Sequence, residues 1–135
     1  MDQMKKTISF RTNFHEELID ITTLVDDVVS RYGGESEICC LYALGATAAI
    51  MIQENWDPNI RIDVIECLRE IIPKGKWRHD RIDGNGDSHI KAGLVGPSEI
   101  VPVENGKLLL STWQNIFFCE FDGPRKRRDV IITLL

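Results

Sequence analysis

The chain of 135 residues carries 21 acidic and 16 basic side chains, which gives a formal net charge of −5. Apolar residues make up 43% of it and charged residues 27%, a balance typical of a globular domain and too hydrophobic for a disordered chain. The acidic balance argues against a general nucleic-acid binder, whose surface is usually basic. We therefore expect one domain over residues 1–135 and no nucleic-acid partner.

The beginning of the chain, Met-Asp-Gln-Met-Lys-Lys, lacks the apolar stretch of a secretory signal. No apolar run approaches the roughly 20 residues of a membrane span. The four cysteines form no CxxC pair, which is typical of reduced thiols that fill a core. These features predict a cytoplasmic protein with no membrane partner.

Strands and helices alternate in the first half of the predicted structure. Apolar side chains alternate in the first strand and recur at helical spacing in the two helices. Gly33 ends the first helix, and Asp57-Pro58 supplies a cap and a first-turn proline for the second. The predicted elements are a strand over residues 7–12, a helix over residues 20–32, one or two buried strands over residues 38–44 and 47–52, and a helix from Asp57-Pro58 to Pro73.

The second half is predicted to be a long loop followed by strands. Residues 74–88 hold glycines, aspartates and an asparagine without periodicity, and loops of this length are often functional. Asn105-Gly106 is the preferred turn of a two-residue hairpin, and Asp122-Gly123-Pro124 predicts a second hairpin. The predicted strands are residues 89–95, 99–104, 107–112, 116–121 and 130–134. This order predicts an α+β fold, a mostly antiparallel sheet or sandwich with two main helices.

Two histidines bracket the long loop. His79 and His89 are ten residues apart, which matches no local zinc pattern, so only the tertiary fold can bring them together. Solvated loop histidines are the alternative. If His89 begins a strand, Lys91 shares its face, and an imidazole beside an ammonium suits an anionic ligand. A solvated strand face is the alternative there.

A carboxylate lies in an apolar strand pattern near the C-terminus. Glu120 is expected on the face of Ile116 and Phe118, where a covered carboxyl could serve as a general acid or base. A salt bridge to one of the basic residues 125–128 is the alternative interpretation. That basic run can hold phosphate through bidentate contacts, or lie solvated in a turn.

Aromatic residues precede and enter the same strand. We expect Trp113 and the Phe117-Phe118 pair to be largely buried. Gln114 follows Trp113 and has a carboxamide that can both donate and accept hydrogen bonds.

Short motifs along nearly the whole chain are similar to those of a known family. They are Asp20-Ile-Thr22, Ala46-Thr-Ala-Ala-Ile50, Glu54-Asn55, Asp57-Pro58, His79, Asn85, His89-Ile-Lys91-Ala92, Gly106-Lys-Leu, Thr112-Trp-Gln114 and Glu120-Phe-Asp-Gly-Pro-Arg125. Together they resemble the YjbQ-like family, called secondary thiamine-phosphate synthases. The resemblance implies a compact α+β fold, a homotrimer with polar sites near subunit boundaries, and a metal held by histidines.

The resemblance also implies roles for individual residues. It implies a divalent metal, zinc first, on His79 and His89, and proton transfer by Glu120 or His89. Five further motif residues are expected to bind ligand: Thr47, Asn85, Lys91, Gln114 and Arg125. The implied activity is weak formation of thiamine phosphate from a pyrimidine diphosphate and a thiazole phosphate, that is, action on a small phosphorylated metabolite.

One departure from the family pattern bears on activity. Gly45 stands where the family usually has a histidine, so one of three motif histidines is missing. Catalytic zinc sites usually keep three protein ligands, so metal affinity should be lower than in a three-histidine relative. Besides a trimeric enzyme, two hypotheses remain: a relative that binds an anion, metabolite or metal without catalysis, and a purely structural oligomer.

Overall fold

Eight strands form two antiparallel sheets, which three helices accompany. The computed structural model describes residues 3–135. The strands are β1 (Met4–Phe10), β2 (Glu17–Asp20), β3 (Ile38–Leu44), β4 (Ala48–Gln53), β5 (Ser98–Glu104), β6 (Lys107–Leu108), β7 (Asn115–Glu120) and β8 (Arg128–Leu134). The helices are α1 (Thr22–Tyr32), α2 (Asn59–Ile71) and α3 (Gly86–Val95). Within residues 3–135, none of these helices has the length and apolar content needed to cross a bilayer.

The sheets are stacked so that the chain has two apolar cores. The larger sheet has the strand order β1-β8-β3-β5-β6 and the smaller one β2-β7-β4. The first core lies between the sheets and includes α1, and the second includes the other face of the smaller sheet, α2 and α3. β7 is the central strand of the smaller sheet, so Phe118 enters the first core and Phe117 the second. The predicted α+β class with antiparallel sheets is confirmed.

Several predicted elements are confirmed, with ends shifted by a few residues. α1 packs Val25 and Val29 into the first core, and its end is marked by the Gly33 N–H, which donates to the Val29 carbonyl. Asn105 and Gly106 have φ angles of 51° and 73°, as a two-residue hairpin turn requires, and they join β5 to β6. Strand β6 is shorter than predicted. β2 was not predicted, because its four residues show no clear alternation.

The prediction of a loop followed by a strand at residues 74–95 is wrong. Residues Arg78–Arg81 form a 3₁₀ turn, and α3 begins at Gly86 and includes His89. The face of α3 that packs inward is mostly polar, with Asp87, Ser88 and Lys91 buried, whereas Leu94 is exposed. A pattern of apolar residues therefore could not identify this helix.

The second predicted hairpin is also wrong. β7 pairs with β2 and β4, whereas β8 pairs with β1 and β3 in the other sheet. The segment between them crosses from one sheet to the other. Trp113 precedes β7 and is 54% exposed, contrary to expectation, while Phe117 and Phe118 are buried as predicted.

Candidate functional site

The two motif histidines lie side by side. The imidazole rings of His79 and His89 pack edge to face, with 4.6 Å between their centroids. His79 belongs to the 3₁₀ turn and His89 to α3. The fold thus joins two residues whose sequence spacing alone gave no reason to pair them.

Asp80 holds the turn that carries His79 against the start of α3. Its carboxylate accepts hydrogen bonds from the backbone N–H of Trp77 at 3.0 Å and of Gly86 at 2.7 Å. These two bonds hold the pKa of Asp80 below its usual value. Gly86 permits the close approach, because a Cβ at this position would lie 2.7 Å from the Cβ of Trp77. These contacts therefore fix the turn that places His79 beside His89.

The histidines line an open pocket of about 610 Å³, which we call the histidine pocket. The indole of Trp77 lines it too and is fixed by a 2.7 Å hydrogen bond from its Nε1 to the Pro73 carbonyl. Lys76 and Arg78 are also part of the lining. Flat aromatic groups beside two cations suit a planar ligand that carries an anionic group.

Glu120 lies at the end of β7 in a closed network of hydrogen bonds. Its carboxylate is fully buried and forms an ion pair with Arg128, which donates from Nε at 2.9 Å and from Nη2. The hydroxyl of Thr12 donates to it at 2.7 Å, and the backbone N–H of Asp122 at 3.1 Å. Arg128 also donates to the buried hydroxyl of Thr47. The structure thus shows the salt bridge that the sequence left as an alternative.

Asp122 connects this network to α3. Its carboxylate accepts a 2.9 Å hydrogen bond from Nδ2 of Asn85, the residue before α3, and a 3.1 Å bond from Arg125. Arg125 is thereby held within its own turn. The Oδ1 of Asn85 is buried and has no hydrogen-bond partner in the part of the chain that the structure describes. Among residues 3–135 no group donates to that oxygen, so its donor would have to be a ligand or a water.

Lys91 does not lie beside His89. The two residues are in a helix, where positions i and i+2 point in different directions, so the predicted shared strand face is wrong. Lys91 is 1% exposed, and its ammonium donates to Glu16 and to Asp87, each at 2.9 Å. It belongs to a separate buried ion cluster.

Gln114 lies at the opposite end of β7 from Glu120. Six residues of extended strand separate the two positions by about 20 Å. The Oε1 of Gln114 accepts a hydrogen bond from the backbone N–H of Ser111, which fixes the local turn. Within one chain, the structure does not bring Gln114 to the other predicted site residues.

The residues of one chain do not complete the expected zinc site. Among residues 3–135, no group of three His, Cys, Asp or Glu side chains is arranged to hold a metal ion. His79 and His89 supply two ligands, and catalytic zinc sites usually have three from the protein. Gly45, at the position of the missing histidine, adjoins Arg128: a Cβ there would lie 2.6 Å from Nη1. Metal binding by His79 and His89 therefore stays a prediction from the family resemblance.

Four contributors to these clusters were not identified from the sequence: Thr12, Glu16, Asp87 and Asp122. Asp87 precedes Lys91 by four residues, which is a helical ion-pair spacing that becomes visible once α3 is recognised as a helix. The other three act through tertiary contacts and had no local signal.

Comparison with known proteins identifies the family. The family model described as "UPF0047 protein YjbQ-like" matches residues 6–135. A UPF0047 protein of Methanocaldococcus jannaschii is 45% identical over 117 residues, which cover 87% of this chain and 84% of that protein. UPF0047 protein YugU of Bacillus subtilis is 42% identical over 127 residues, which cover 92% and 94% of the two chains.

Solved structures agree with the sequence comparison. A YbjQ-like protein of unknown function from Sulfolobus solfataricus has a TM-score of 0.93 at 34% identity and covers 98% of this chain and 96% of its own. A YjbQ/UPF0047 protein from Clostridium acetobutylicum has a TM-score of 0.90 at 40% identity, with 96% and 99% covered. The chain therefore belongs to the UPF0047 family of YjbQ-like proteins.

Proposed function

We propose that this protein binds a small phosphorylated metabolite with a planar ring in the histidine pocket, and acts on it there. One observation carries the proposal: the aromatic side chains of Trp77, His79 and His89 share a pocket with the cations Lys76 and Arg78. Planar heterocycles stack on aromatic side chains, and Lys or Arg neutralises phosphate charge. In this pocket the aromatic side chains can thus contact the ring of such a ligand, and the cations can contact its phosphate.

The activity we propose is formation of thiamine phosphate from a pyrimidine diphosphate and a thiazole phosphate. In this reaction the C–O bond between the diphosphate and the methylene carbon attached to the pyrimidine ring breaks, and the thiazole nitrogen forms a bond to that methylene carbon. Lys76 and Arg78 would stabilise the charge on the leaving diphosphate. His89, half-buried at the pocket wall, is the group we propose to donate a proton to the leaving diphosphate.

Glu120 has a different part in this proposal from the one the sequence suggested. Its carboxylate accepts bonds from Thr12, Arg128 and Asp122 and is fully buried, so it has no face open to a substrate. It would act as a positioning residue, because it orients Asp122, which in turn holds Asn85 at the start of α3.

The assay would supply both phosphorylated substrates to the wild type, to His89→Ala and to Lys76→Gln, with calorimetric titration of each phosphate. We expect the histidine variant to lose turnover by about 10²-fold, the usual size for a proton-transfer group, and the lysine variant to lose affinity. Lys5→Gln, at an exposed position of β1, is the matched control and should change neither turnover nor phosphate affinity. Absence of phosphate binding by the wild type would rule out the proposal.

A non-catalytic binding protein is the second candidate, and Gly45 favours it. Where the family usually has a histidine, this chain has no side chain, and the space next to that position is taken by Arg128. Binding of both phosphates without any product would support this candidate over the enzyme.

We also propose a homotrimer. Side chains on the outer face of the larger sheet are apolar and exposed, and they include Ile38, Tyr42, Leu44 and Ile100. Burial of such a face between subunits would stabilise a small chain. Light scattering should give three times the 15.4 kDa of one chain, and a monomer at micromolar concentration would contradict this. The four unpaired cysteines fit a reducing, cytoplasmic setting.

A further inference from the structure

A second pocket lies on the other side of α3 from the histidines. Its volume is about 360 Å³. The buried side chains of Glu16, Asp87 and Lys91 form its floor. The more exposed His15, Arg69 and Lys74 line its mouth. We call it the lysine pocket. Because Asp87 and Lys91 are one helical turn apart, they share a face of α3 that does not include His89.

The floor of the lysine pocket has one open acceptor and one open donor. Asp87 is 2% exposed, and its Oδ1 has no hydrogen-bond partner among residues 3–135. The ammonium of Lys91 has three N–H groups and uses two of them, on Asp87 Oδ2 and Glu16 Oε2. A buried carboxylate oxygen without a donor is unfavourable, so a group that fills this place is stabilised.

A hydroxyl group fits both requirements at once. It donates its one hydrogen to Asp87 Oδ1 and accepts from the third N–H of Lys91 with its oxygen. An ammonium would satisfy Asp87 but would lie against Lys91 with the same charge. An anionic oxygen would satisfy Lys91 and repel Asp87. The floor therefore favours a neutral hydroxyl group, of an alcohol or of a water molecule, over either ion.

The mouth of the pocket selects an anion. Lys74 and Arg69 are cations at its edge, and His15 adds a third donor group. Arg69 pairs with Glu16 through Nε, which leaves the rest of its guanidinium for another acceptor. Phosphate oxygens are suited to such a group of cations.

We propose that the lysine pocket binds a small aliphatic phosphate monoester with a free hydroxyl group, the hydroxyl between Asp87 and Lys91 and the phosphate at Lys74 and Arg69. This site does not depend on the function proposed for the histidine pocket, which takes a planar ligand. Glycerol 3-phosphate is a simple probe, and propyl phosphate is the matched probe of the same carbon length without hydroxyl groups.

The test is an amide-resolved NMR titration of the whole protein with each probe. Glycerol 3-phosphate should shift the amides of Lys74 and Asp87 along one saturable curve. Propyl phosphate should bind about tenfold more weakly or worse, the ratio expected when two hydrogen bonds of ordinary net strength are lost. Lys74→Gln should weaken the binding of glycerol 3-phosphate to a similar extent. Lys76→Gln, in the histidine pocket, is the control and should leave this affinity unchanged.

Each contrary result would overturn a stated part of the proposal. Equal affinity for the two probes would show that the proposed hydroxyl contact does not form. Shifts confined to the amides of Trp77 and His79 would place the ligand in the histidine pocket. No saturable shift at millimolar probe would mean that water alone fills the site. Asp87→Asn, if circular dichroism shows it folded, should abolish the preference for the hydroxyl; if it is unfolded, the comparison of probes on the wild type decides.

Discussion

Replacement of Glu120 by Gln should destabilise the fold by about 3–5 kcal/mol. The carboxylate accepts four hydrogen bonds, two on each oxygen, and three of them come from Arg128 or Asp122. A glutamine keeps one acceptor oxygen and turns an NH₂ group toward two donors. Two lost bonds to a charged group at about 1.5–3 kcal/mol each give about 3–6 kcal/mol, which overlaps this range. Arg128, 6% exposed, would keep its charge without a counter-ion.

The measurement is urea unfolding followed by circular dichroism at one fixed protomer concentration. Asp129→Asn is the control, because Asp129 pairs with Arg127 at 2.9 Å on the surface, where such a pair contributes about 0–1 kcal/mol. A double replacement, Glu120→Leu with Arg128→Met, should recover much of the loss, since it leaves no unpaired charge. If Glu120→Gln is as stable as the control yet inactive, Glu120 is a general acid or base after all.

Three further predictions concern the backbone, the thiols and acid stability. Gly45→Ala should cost about 1–3 kcal/mol of unfolding free energy, since φ is +140° there and the new methyl group would meet a buried arginine; Gly93→Ala, in open space on α3, should be neutral or stabilising in the same urea assay. Burial raises the pKa of the Cys119 thiol to about 12, so a thiol reagent at pH 8 should label exposed Cys67 quickly and leave Cys119 unreacted until the protein unfolds; equal rates would contradict this. Burial raises the pKa of Asp20, but hydrogen bonds from a threonine and two asparagines outweigh it and hold that pKa below 3.8. The stability that these bonds contribute is present above the pKa of Asp20 in the unfolded chain and is lost as pH falls through its pKa in the folded protein. Asp20→Asn should therefore reduce the loss of stability below pH 4, and an unchanged acid profile would refute this prediction.

Local patterns predicted the parts of the fold whose buried residues are apolar. The stripe in α1 and the alternation in β1 identified those elements, and the two-residue period of a strand placed Glu120 on the face of Phe118. α3 was missed because Asp87 and Lys91 make up its buried face. These charges are compatible with burial because each has an ionic partner, which depends on tertiary structure.

The candidate site was predictable only as a set of residue types. His79 and His89 were identified as a pair by resemblance, and their contact depends on a 3₁₀ turn that no pattern indicated. The choice of Arg128 over Arg125 as the partner of Glu120 depends on where β8 begins. Local sequence contains no information on which sheet β8 enters, so the ion pair could not be derived from it.

The most direct test of the histidine pocket is an NMR titration of its imidazole nitrogens with a pyrimidine monophosphate. We predict that the resonances of His79 and His89 move together along one saturable curve. The unphosphorylated pyrimidine should bind at least about tenfold more weakly, because it makes no contact with Lys76 or Arg78. Histidine resonances that stay fixed at saturating phosphate, or equal affinity for the two pyrimidines, would contradict the account.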